Sequence, residues 1–127
     1  MNKPPIDSKR EIYLVKRARS FGYAGRGVWI FLKTTPNAWI HLAVLILVAS
    51  AGVYYQISRL DWVLLVIAIG FVLVAEAFNT AIEIDINLTS PEYHPYARDT
   101  KDVAAGAVLL ASLTAVIMGL LIFLPYF

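Results

Sequence analysis

The chain is 127 residues long and 59% hydrophobic, with 11 Lys plus Arg against 9 Asp plus Glu. That length fits one folding unit, residues 1–127 as a single membrane domain, and a mean hydropathy of +0.66 excludes both a disordered chain and an ordinary soluble domain. With no cysteine, a disulfide framework, an iron–sulfur centre and a thiolate zinc site are excluded too.

In chain order, the first predicted element runs from about residue 8 to 33. Lys9, Arg10, Lys16, Arg17, Arg19, Arg26 and Lys33 are interspersed there with Ile12, Tyr13, Leu14, Val15, Phe21, Tyr23, Val28, Trp29, Ile30 and Phe31. This composition suits an amphipathic helix lying in the headgroup region, its cations facing anionic lipid. Thr34-Thr35-Pro36-Asn37 breaks it, because proline cannot continue a helix and restricts the residue before it. Residues 38–57 form an apolar stretch interrupted by His41 and Gln56, long enough to cross the hydrocarbon core. His41 reads as a polar residue at the start of that spanning helix. A second helix is expected over about 62–87, with Asp61 as its N-cap; its apolar part ends at Glu76, so it must carry polar side chains to the far interface. The run from Pro91 to Pro95 forces a turn. A third spanning helix covers about 101–125 and is uncharged from Ala104 onward. The fold class is therefore all-α: a surface helix followed by three membrane helices. No cleavable signal peptide is expected ahead of them, since the first 37 residues are polar and basic.

Lys and Arg orient this topology. Lys3 and the seven basic residues of the first element precede residue 34, Arg98 and Lys101 follow the second spanning helix, and Arg59 alone lies in the short first connection. The positive-inside rule puts the N-terminus and residues 88–102 on the cytoplasmic face and the C-terminus outside.

Chemistry concentrates on the second spanning helix. At about 100° per residue, Glu76, Asn79, Glu83 and Asn87 share one stripe, and Asp85 lies opposite. A carboxylate in or near hydrocarbon costs about 2.5–3.5 kcal/mol, so something cationic should meet these two. One reading pairs Glu76 and Glu83 with basic residues of the N-terminal helix. The other is a hard-cation site, since carboxylate and amide oxygens suit Mg²⁺ together with substrate phosphates; Lys101 would then face the same site as a point charge for a phosphoryl group. No phosphate-binding glycine loop, dinucleotide fingerprint, histidine metal pair or Ser–His–Asp arrangement is legible. On the last helix Ala107, Ala111, Ala115 and Gly119 recur every four residues, a ladder that lets another helix approach closely.

The strings Glu76-Ala-Phe-Asn79-Thr-Ala-Ile-Glu83, Pro91-Glu-Tyr-His94 and Lys101-Asp-Val-Ala-Ala-Gly-Ala-Val108 resemble the small integral-membrane prokaryotic diacylglycerol kinases, which include undecaprenol kinases. Ser20 to Gly27 and Asn37 to His41 are similar to that family's N-terminal pattern. The resemblance implies a domain-swapped homotrimer that transfers phosphate from Mg²⁺-bound ATP to the hydroxyl of a membrane lipid, undecaprenol or diacylglycerol, with no nucleic acid involved. By position it implies Glu76 as general base and Glu83 as metal ligand, with Asn79 at the metal–triphosphate. Lys101 falls at the γ-phosphate, and Lys16, Tyr23, Gly27, Glu92 and Asp102 fall at the nucleotide. Thr35 and Asn87 are candidate further metal ligands; the family usually has a glutamate and an aspartate there, so a thinned metal site is expected. The alternative is a catalytically impaired member that serves as a membrane scaffold or lipid binder. A proton or cation pathway is a third reading of intramembrane carboxylates, but the last helix offers only Ser112 and Thr114 to it.

Overall fold

The computed structural model describes residues 6–127, with side chains from Arg10 onward; Lys3 and the Lys9 side chain lie outside the described residues. The order is α1 (Ile6–Thr34), α2 (Pro36–Tyr54), α3 (Arg59–Thr89), α4 (Pro95–Phe123) and a closing 3₁₀ turn, Leu124–Tyr126. No strand occurs among the described residues. Three helices are long and apolar enough to cross a membrane: α2, α3, and α4 with its 3₁₀ turn. This is an all-α membrane protein.

Helix α3 is the hub. Helix α4 lies along it over most of its length, α2 packs on it more sparingly, and α4 has no other helix within close backbone distance apart from the 3₁₀ turn. Ala104 and Ala111 of α4 are buried, so at Ala111 the helix that the small-residue ladder admits is α3 of the same chain.

The breaks between helices are short for identifiable reasons. Thr35 alone separates α1 from α2, in an extended conformation (φ −111°, ψ 98°), as a residue before proline should be. Pro36 then starts α2, where its missing N–H costs nothing. Across this bend the Trp39 indole N–H donates to the Leu32 carbonyl at 2.9 Å. Pro95 likewise opens α4, six residues earlier than expected; His94 caps it by accepting the Tyr96 N–H on Nδ1 at 3.2 Å. The polar first turns of α4 hid that start from a hydropathy reading. At α3 the N-cap is Ser58 and not Asp61. Asp61 instead completes a reciprocal capping box, its carboxylate accepting from the Ser58 backbone N–H at 3.2 Å while Ser58 Oγ accepts from the Asp61 N–H at 3.1 Å.

Helix α1 exposes every side chain from Arg10 to Trp29. Its basic residues encircle it: at about 100° per residue Arg10 and Arg17 lie opposite Arg19 and Arg26. Apolar and basic residues therefore interleave around this helix, and long cationic side chains reach the same water from several faces.

Candidate functional site

Helix α3 is 31 residues long, about 46 Å, against a hydrocarbon core of about 30 Å. Its capping box fixes the start, and no proline interrupts it before Ser90-Pro91. Along the axis Glu76 sits about 26 Å from that start, at the edge of the core, and Glu83 and Asn87 sit about 36 and 42 Å away, beyond it. The polar stripe thus runs along one unbroken helix toward its C-terminal end, and exposure rises along it: Glu76 is 1% exposed, Asn79 half-buried, and Glu83 and Asn87 exposed.

The partners of these side chains bear on the first of the two sequence readings. The ion pairs among the described residues are His41 with Glu76 and Arg98 with Asp99; no basic residue of α1 from Arg10 onward pairs with Glu76 or Glu83. Glu76 Oε1 lies 3.1 Å from His41 Nε2. His41 was expected only to mark the start of a helix, yet it is the partner of the buried carboxylate. Counting axial rise could have found it, since His41 and Glu76 lie about 21 and 27 Å from the α2–α3 turn, near enough in depth to meet.

One turn above Glu76, the Thr35 and Thr80 hydroxyls share a hydrogen bond of 2.6 Å and are both buried. Thr35 therefore does reach the stripe, but its hydroxyl engages Thr80. Next, the Asn79 amide donates to Glu83 Oε1 at 3.3 Å, while Asn79 Oδ1 is buried with no hydrogen-bond partner. An orphaned amide oxygen beside a carboxylate fits a hard divalent cation, which takes one or two carboxylates and completes its shell with water and phosphate. No cluster of three His, Cys, Asp or Glu residues occurs among the described residues, so phosphate oxygens would have to supply much of that shell.

At the top of the stripe Lys101 Nζ donates to Asn87 Oδ1 at 3.0 Å, bringing α4 to the site as expected. Asn87, Glu92, Lys101 and Asp102 line one cavity of about 360 Å³ together with Tyr93 and Arg98. Lys16, Tyr23 and Gly27 do not join it in a single chain: they stand exposed on α1. A second cavity, of about 320 Å³, lies below, where Asn37, His41, Glu76 and Ser112 meet Ala105, Val108 and Leu109. Below that, an apolar trough of about 360 Å³ continues along α2, α3 and α4 from His41 and Ser112 to Val48, Leu65 and Gly119. The site thus runs from a polar cavity at one end of the helices to an apolar trough between them, and Glu76 lines the cavity in between, which shares Ile40, His41 and Ser112 with the trough.

The family model for prokaryotic diacylglycerol kinase matches residues 22–123. The chain belongs to the prokaryotic diacylglycerol kinase family. Undecaprenol kinase of Bacillus subtilis (strain 168) is 39% identical over 107 residues, covering 84% of this chain and 87% of the relative. Diacylglycerol kinase of Synechocystis sp. (strain ATCC 27184 / PCC 6803 / Kazusa) is 37% identical over 107 residues, 84% of this chain and 61% of the relative. Diacylglycerol kinase of Escherichia coli (strain K12) is 31% identical over 107 residues, 78% and 81% respectively. The match to the diacylglycerol kinase model includes α2, α3 and α4 and the residues lining both upper cavities, and begins within α1 at Gly22, so it includes Tyr23 and Gly27 but not Lys16.

Proposed function

We propose that this protein transfers the γ-phosphoryl group of ATP to the hydroxyl of a membrane lipid alcohol at the cytoplasmic face of a bacterial inner membrane. Its family makes it a lipid kinase; the choice of lipid, metal and residue roles is our reading. The observation that carries it is the position of Glu76, a buried carboxylate lining a cavity that lies between the polar cavity above it and the apolar trough below it. A lipid alcohol must present its hydroxyl at such a junction, and a nucleotide must approach from water.

In this reading Glu76 accepts the hydroxyl proton as the lipid oxygen attacks phosphorus. Glu83 and Asn79 hold Mg²⁺, which neutralises triphosphate charge when bound, with Thr35 and Asn87 flanking them. Lys101 neutralises a phosphate as a point charge, and Glu92 and Asp102 border the nucleotide. Phosphoryl transfer asks mainly for such positioning and charge neutralisation. Lys16, Tyr23 and Gly27 stand apart from their own chain's chamber, which supports a homotrimer in which α1 serves a neighbour. Identity is higher to the undecaprenol kinase than to the two diacylglycerol kinases compared, so we favour undecaprenol as acceptor.

The test is transfer of ³²P from labelled ATP by purified, reconstituted protein, with undecaprenol and diacylglycerol in parallel across a Mg²⁺ titration. Label in undecaprenol phosphate is expected. Label in diacylglycerol alone would move the acceptor assignment, and no label in either lipid would favour the scaffold reading.

A further inference from the structure

The mechanism above leaves His41 without a role, although it is the one hydrogen-bond partner of Glu76 among the described residues. The Glu76 side chain is 2% exposed and that of His41 23%. A carboxylate acting as base accepts hydrogen bonds, and the His41 tautomer that serves it is the one protonated on Nε2, which donates to Oε1. Among the described residues the other oxygen, Oε2, has no hydrogen-bond partner, and Glu76 lines a cavity with Asn37, His41 and Ser112. No described Lys or Arg lines that cavity or the apolar trough below it, so the histidine is the polar group placed to orient the buried carboxylate.

We propose that His41 is the positioning residue of the phosphoryl transfer: its Nε2, 3.1 Å from Oε1, fixes the Glu76 side chain and leaves Oε2 free to take the hydroxyl proton. The proposal rests on the reading of Glu76 as base. As the lipid oxygen bonds to the γ-phosphorus, the bond from that phosphorus to the bridging oxygen breaks and ADP departs. The hydroxyl proton passes to Oε2, and His41 keeps its own. A base displaced by about 1 Å can cost about 100-fold in rate, which is the scale on which His41 acts.

Three variants of the full chain, reconstituted in lipid, test this. His41→Leu removes the donor; His41→Gln keeps an N–H near the place of Nε2; Glu76→Gln removes the base. His41→Leu is expected to lower kcat about 10- to 100-fold with KM for ATP unchanged, and His41→Gln to recover most of it. Residues acting as one unit do not add, so the double variant His41→Leu/Glu76→Gln should be no slower than Glu76→Gln alone. If His41→Leu does not assemble, His41→Asn, whose amide is too short to reach, takes its place. Unchanged kcat in the donor-less variant, a His41→Gln chain as slow as it, or additive losses would overturn the positioning role while an inactive Glu76→Gln left the base in place. An active Glu76→Gln would instead overturn the base assignment and this proposal with it.

Discussion

Where α2 turns into α3, backbone caps and apolar packing close the chain. Tyr55 ends α2, Gln56 adopts φ 50°, and the Gln56 and Ile57 N–H groups donate back to the Val53 and Gly52 carbonyls at 3.3 and 3.2 Å, which is a Schellman closure. Ile57 then buries itself with Leu65 and Ile122. Trp62 lies so close to Gly52 that a Cβ there would stand 2.8 Å from the indole ring. The Tyr55 ring has Tyr54, Phe123, Tyr126 and Phe127 within 5.0–6.3 Å. The opposite end of the bundle holds a buried carboxylate, an amide oxygen without a partner and two hollows. One end is closed by packing and caps, whereas the other keeps unmet polar groups that substrates could satisfy. Stability and chemistry have been separated along the same three helices.

Substitutions at each end can break or sharpen that contrast. The largest effect is expected from Glu76→Gln, a loss of about 10²- to 10⁴-fold in lipid phosphorylation with the midpoint of SDS unfolding unchanged or raised. Equal damage to both would erase the distinction between the ends. Glu83→Gln should raise the Mg²⁺ midpoint by at least the about 10- to 100-fold typical of outer-shell partners, with the oligomer intact by cross-linking; normal activity throughout a Mg²⁺ titration would remove Glu83 from the site. At the closed end, Gly52→Ala forces a methyl into Trp62 and should destabilise by about 1–3 kcal/mol, measured by SDS unfolding, while kcat per folded enzyme holds. Gln56→Gly relieves a non-glycine residue in the left-handed region and should add about 1 kcal/mol in the same assay. The smallest change is expected from Asn87→Asp. A carboxylate 3.0 Å from Lys101, on an exposed turn, should shift the Mg²⁺ midpoint downward only about two- to fivefold.

Much of this was written in the sequence, unevenly. The three spanning helices follow from apolar length, and the stripe from Glu76 to Asn87 from helical period, because both depend on one element at a time. Lys101 reaching Asn87 was legible because a short turn joins their helices. The Thr35–Thr80 pair was not, and for His41 and Glu76 axial counting gives only a similar depth; which faces of α2 and α3 meet depends on their packing, which no periodicity specifies. The early start of α4 was missed because His94 and Pro95 act through capping and not through hydropathy. The exposure of Lys16, Tyr23 and Gly27 depends on where α1 points, and residue spacing within α1 says nothing of that.

Helix α1 is joined to the bundle through one extended residue, and geometry makes that residue a fulcrum. Lys16 lies 19 residues before Thr35, about 28 Å along the axis, so a swing of 10° at the junction carries Lys16 about 5 Å sideways. The hydroxyl bond from Thr35 to Thr80, the Trp39 indole bond to the Leu32 carbonyl and the proline that follows Thr35 all bear on that angle. A side chain of a few atoms, buried beside α3, thereby sets the reach of an arm several times its own length.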